Sequence, residues 1–183
     1  VTITGTPTVA GVFNYTVNTA GPCVNPSENG TITVTADGSI TLSSAAGTDN
    51  QTICINTAIT DITYNVGGSG NGGNVTGLPA GVSGTYAGGV VTITGTPSVA
   101  GVFNYTVNTT GPCINPTATG TITVRANTTL TLTSAPGTNN QTLCINVPIV
   151  NITYAVGGTG TNGTVTGLPA GVTGNYSAGI VTI

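Results

Sequence analysis

Short runs of alternating apolar and hydroxyl residues recur along the whole chain. Val1-Thr-Ile-Thr4 puts Val1 and Ile3 on one face and Thr2 and Thr4 on the other, the period-two pattern of a half-buried strand. Val12–Val17 turns Phe13, Tyr15 and Val17 inward, and Thr31–Val34 alternates in the same way. Ser39–Ser43 aligns Ile40 with Leu42; Gln51–Asn56 aligns Ile53 with Ile55 and leaves Cys54 on the opposite face; Asp61–Val66 aligns Ile62, Tyr64 and Val66. Ser83–Tyr86, Val90–Thr94, Val102–Asn108 and Thr119–Val124 read as further strands. Between them lie turn signals: Gly5-Thr-Pro7, Gly21–Ser27, Ala46–Asn50, a flexible Gly67–Gly73 loop, and Pro79-Ala-Gly81 between Leu78 and Val82. No stretch shows the apolar spacing of an amphipathic helix. The pattern predicts an all-β fold of immunoglobulin-like Greek-key sandwiches.

The pattern is also periodic. Val1-Thr-Ile-Thr-Gly-Thr-Pro7 returns 90 residues later as Val91–Pro97, and Val181-Thr-Ile183 opens another copy. A solenoid would repeat every 20–45 residues, and no shorter self-similarity is visible. One period is long enough for a β domain with its own core. The expected organisation is therefore the C-terminal part of a module at 1–35, a complete module at 36–125, and the N-terminal part of a third at 126–183. Gly77, Pro79, Gly81, Gly95 and Pro97 are its expected structural turns. We expect the chain to be an internal window of a longer protein, in which a neighbouring copy laid end to end completes the outer modules.

Charge changes the picture by its scarcity. Glu28, Asp37, Asp49, Asp61 and Arg125 are the only Asp, Glu, Lys or Arg residues, and there is no His. Nucleic acid is excluded as a partner, because phosphate binding needs a basic surface. No apolar run is long enough to span a membrane, and no insertion is expected. Catalysis needs a titratable group tuned by its neighbours; none is in view, so no enzyme, catalytic residue or cofactor is expected. Asp37, Asp49 and Asp61 could suggest calcium, which takes several carboxylate oxygens. Their counterparts one period on are Asn127, Asn139 and Asn151, so no metal site is expected. Tyr64, Tyr86 and Tyr105 could stack on a sugar, but Tyr64 and Tyr105 fall on inward faces.

The four cysteines are two positions repeated at the same period, Cys23 with Cys113 and Cys54 with Cys144. This even set, without zinc-ligand spacing, suggests disulfides and an oxidising compartment. Cys54 could pair with Cys113 in the same module or with Cys23 in the module before. In an immunoglobulin-like order the second strand, which bears Cys54, ends at the same pole as the loop between the last two strands, where Cys113 lies, and Cys23 is a full module length away. The expectation is a Cys54–Cys113 bridge within one module, with Cys23 and Cys144 pairing outside the window.

Gly77-Leu-Pro-Ala-Gly-Val82, Val91-Thr-Ile-Thr-Gly-Thr-Pro97 and Ala100-Gly-Val-Phe-Asn-Tyr-Thr-Val107 resemble tandem immunoglobulin-like repeats of giant surface adhesins and filaments of Bacteroidota. The resemblance covers the whole period and carries over no catalytic residue. It implies export, display on the bacterial cell surface, and a structural role in a filament or adhesin stalk that gives length and mechanical stability. Partners would then be copies of the same chain, end to end and possibly side to side. The alternative is a carbohydrate- or surface-binding adhesin module, with a glycan held in loops such as Gly67–Asn74.

Overall fold

The structure, a computed structural model, describes residues 1–183, and every regular element in it is a strand. The strands are β1 (Gly11–Asn18), β2 (Ser27–Val34), β3 (Ser39–Leu42), β4 (Asn50–Cys54), β5 (Ile62–Gly67), β6 (Gly72–Thr76) and β7 (Val82–Ala87). They continue with β8 (Val90–Gly95), β9 (Gly101–Thr110), β10 (Thr117–Arg125), β11 (Thr129–Leu132), β12 (Thr153–Gly157), β13 (Asn175–Ser177) and β14 (Ile180–Thr182).

β3 to β10 form two four-stranded sheets, in the orders β3-β5-β8-β7 and β4-β10-β9-β6. The chain changes sheet after β3, β4, β5, β6 and β8, which is the Greek-key wiring of an immunoglobulin-like sandwich. All pairings are antiparallel except β4 with β10, which run parallel from Asn50↔Thr121 to Cys54↔Arg125. β1 and β2 form a hairpin in the same register as β9 and β10. The sheet β11-β12-β14-β13 repeats the order β3-β5-β8-β7.

The strongest alternation in the sequence becomes the core. Ile62, Tyr64 and Val66 of β5, Val91 and Ile93 of β8, Tyr105 and Val107 of β9, and Ile122 and Val124 of β10 pack between the sheets. Each buried aliphatic side chain stabilises the sandwich by about 1.5–3 kcal/mol.

Four segments differ from the sequence expectation, the first being β1, whose Phe13 and Tyr15 were expected inward but are exposed because no second sheet covers the β1-β2 hairpin. Gly72 and Gly73, expected in a flexible loop, open strand β6, which pairs with β9 from Gly72↔Thr110 to Thr76↔Thr106. Glycine has no side chain to alternate, so the ladder that orders Gly72 and Gly73 left no mark in the hydrophobic pattern. Val1–Thr4 is not in a strand, although its counterpart in β8 is held between β5 and β7. Gln141–Cys144, the counterpart of β4, is likewise unpaired, because β4 has no ladder partner besides β10.

Candidate functional site at the module poles

Strand direction sorts the loops of the complete module into two poles. The entry pole gathers segment 35–38, the β5–β6 turn and the β9–β10 loop. Segment 35–38 is clasped by this loop: Gly38 N donates to Ile114 O (2.9 Å), and Ile114 N reaches Asp37 Oδ1 (3.5 Å). Ser69 N donates to Asp37 O from the β5–β6 turn (3.4 Å). A Cβ on Gly68, at φ 62°, would collide with Asp37 O, so the turn needs glycine to sit this close. Gly158, at φ 64°, is packed on Asn127 O in the same way.

The exit pole gathers the ends of β4 and β10 with two turns. Ile55 N donates to Arg125 O (2.8 Å) and Asn56 N to Pro97 O (2.9 Å). Asn56 adopts φ 62°, a left-handed conformation that asparagine tolerates, and Asn146 repeats it at φ 64°. All five turn residues singled out in the sequence lie around this pole or lead into it. Gly77 (φ 83°), Gly81 (φ 89°) and Gly95 (φ 136°) hold conformations that L side chains rarely adopt, and a Cβ on each would strike a backbone carbonyl. Pro79 and Pro97 are fully buried. Thr96 N and Ser98 N bond back to Gly81 O and Ala80 O, tying the two turns together.

β4 is held by a side chain as well as by its ladder. Gln51 Nε2 donates to Thr48 O (2.8 Å) and Thr60 O (2.7 Å), while Thr60 N donates to Gln51 Oε1 (2.8 Å). Gln141 makes the same bonds to Thr138 and Val150, although its strand ladder is missing. In the core, the Tyr64 and Tyr105 hydroxyls meet at 3.0 Å, and the Tyr105 hydroxyl also reaches Asp49 O at 3.4 Å. Burial, the largest cause, pushes both phenols above their usual pKa, Tyr105 the further. With these two rings 2 % and 1 % exposed, the tyrosine platform considered for sugar stacking does not exist. The glycan loop Gly67–Asn74 is shortened too, since Gly67 ends β5 and Gly72–Asn74 open β6. The three aspartates do not converge. Asp37 lies at the entry pole, Asp61 accepts from Thr94 Oγ1, and Asp49 offers its backbone carbonyl.

The cysteine expectation is corrected. Cys54 ends β4 opposite Arg125, the last residue of β10. Cys113 precedes β10, at the other pole. The nine residues of β10 hold the two positions about 25 Å apart, whereas a disulfide needs Cα atoms within about 7 Å. The topological premise failed at one point. The strand bearing Cys54 is the second of the module, but it runs parallel to the last strand, so it ends at the exit pole. All four cysteines are free thiols in this structure, and Cys113 Sγ lies 3.7 Å from Thr35 O. Sequence reasoning missed Thr35, Asp37 and Ile114 as a contact set and Gln51 as a clamp. The recurrence of Gln at 51 and 141 was the available signal.

The fold is shared with known structures. A three-domain fragment of titin, I67–I69, in an E-to-A variant, superposes with a TM-score of 0.62 at 11% identity, covering 93% of this chain and 62% of that one. The I-band fragment I67–I69 from titin gives a TM-score of 0.58 at 9% identity, with the same coverage of 93% and 62%. Domains 4–9 of the surface layer protein SbsC cover 97% of this chain and 31% of their own at 13% identity, with a TM-score of 0.38. The chain matches no family model and no curated protein. It is an all-β chain of immunoglobulin-like sandwiches in tandem, the class the titin fragments define by fold alone.

Proposed function

We propose that this chain is a structural repeat of an extracellular bacterial surface filament or adhesin stalk, in which each module adds length and resists force. The observation that carries this reading is the placement of entry and exit. The chain enters the complete module beside Cys113 and Ile114 and leaves it beside Cys54 and Pro97, at the opposite pole. Modules wired this way extend in a line. Segment 35–38 is short and bonded at several points, which favours a stiff join over a free hinge. Low charge suits packing among copies of the same chain, since like-charge repulsion between them is small. The site of display, the bacterial cell surface, rests on the resemblance of the repeat. Electron microscopy of the native protein tests the proposal. Thin strands of uniform width, reaching out from the cell and lengthening with the number of periods, are expected. Compact particles, or a protein confined to the cytosol, would overturn it.

A further inference from the structure

Two observations from different modules converge on one residue position. Cys54 stands opposite Arg125, and the Arg125 carbonyl accepts from Ile55 N. Thr35 is the counterpart of Arg125 one period earlier, in the same Thr-Ile-Thr-Val context. Cys113, from the following module, places its Sγ 3.7 Å from the Thr35 carbonyl. This position, Arg125 at the end of β10 and Thr35 just after β2, is therefore neighboured by the β4-type cysteine of its own module. It also meets the β9–β10 cysteine of the next module.

We propose that this is a cross-link site between modules. The cysteine ending β4 of one module forms a disulfide with the β9–β10 loop cysteine of the module that follows. Parallel neighbours sit about 4.8 Å apart, so the sulfur bonded to this residue's carbonyl has the β4 cysteine as a neighbour, and a disulfide closes once their Cα atoms stand within about 7 Å. Cys54 is exposed and Cys113 half-exposed, so an oxidant can reach both. Each bridge forms by thiol–disulfide exchange with a dithiol-disulfide oxidant of the export compartment. The two thiols lose two protons and two electrons, one S–S bond forms, and the oxidant leaves as its dithiol.

The pairing explains why each period carries two cysteines that cannot reach each other: one serves each neighbour. It also sets a mechanical limit. From the bridged loop position, the chain runs only the 31 residues separating Cys113 from Cys144 before the next bridge carries it two modules on. Fully extended, that segment spans about 100–110 Å, not far beyond two folded modules of about 35 Å each by strand rise. The bridges would hold a fibre near its folded length even where modules unfold.

The test is disulfide mapping of the 183-residue chain extended in register, after Ile183, by a copy of residues 94–125. The protein is refolded with a glutathione redox couple, its thiols are blocked, and its peptides are mapped without reduction. The expected product joins Cys54 to the appended copy of Cys113, with Cys23, Cys113 and Cys144 blocked as thiols. A Cys54–Cys113 link, or Cys54 recovered fully blocked, would overturn the proposal. In a Cys54→Ser version the appended cysteine should be blocked and the circular dichroism unchanged. Finding that cysteine still bridged to another would equally overturn it. The outcome is separable from the structural-repeat reading, because an unbridged chain can still form extended strands.

Discussion

At the scale of single residues, the fold depends on a few positions where nothing else fits. Gly81 sits at φ 89° with its missing Cβ aimed at Thr96 O. Gly81→Ala should cost about 2–3 kcal/mol, from left-handed strain and displacement of the Gly-Thr-Pro turn. Gly88, at φ 56°, faces open space, so Gly88→Ala should cost about 1 kcal/mol. Urea unfolding of the two variants checks the contrast. The tyrosine pair gives a second expectation. Tyr105→Phe strands the Tyr64 hydroxyl in the core and should cost about 1–3 kcal/mol, while the double Tyr64→Phe, Tyr105→Phe change should cost less than the two single losses combined. Burial raises both phenols above the ordinary tyrosine pKa. The folded state therefore holds their protons more tightly than the unfolded state does. Their contribution is intact below about pH 10 and is lost as the pH rises above it. Denaturant midpoints between pH 8 and 12 should be flat at first and then fall, and the fall should be shallower in the double variant.

At the scale of elements, legibility followed side chains. β5, β8 and β9 were readable because Ile62, Tyr64, Val91, Ile93, Tyr105 and Val107 alternate, and the structure buries all six. β6 was not, because Gly72 and Gly73 offer the pattern nothing to alternate. The strand at Gln51–Cys54 was readable as a strand, but its neighbour was not. Alternation reports which face is buried and is silent on whether the partner runs parallel or antiparallel. That silence produced the wrong cysteine pair, since the end of β4 changes pole with the choice of partner. The poles themselves rest on backbone contacts of Thr35, Asp37 and Ile114, which no hydrophobic pattern encodes. β4 also gives a direct expectation. Gln51→Ala removes three hydrogen bonds and should cost about 2–3 kcal/mol. Hydrogen exchange should speed up in Gln51–Cys54 while the β5 and β8 amides keep their protection.

At the scale of the whole molecule, a sandwich threaded from pole to pole repeats along one chain with almost no charge on it. With one Lys or Arg and four Asp or Glu, association between copies should hardly change between 0.05 and 0.5 M NaCl in sedimentation experiments, since there is little for salt to screen. On this reading each module folds separately and the modules bear load in series. Single-molecule stretching of a chain of several whole periods, with reductant present to keep cysteines open, tests it most directly. A train of separate unfolding events is expected, each lengthening the chain by about 270 Å, the extended length of one period less its folded length. A single event for the whole chain, or smooth extension without discrete steps, would contradict it.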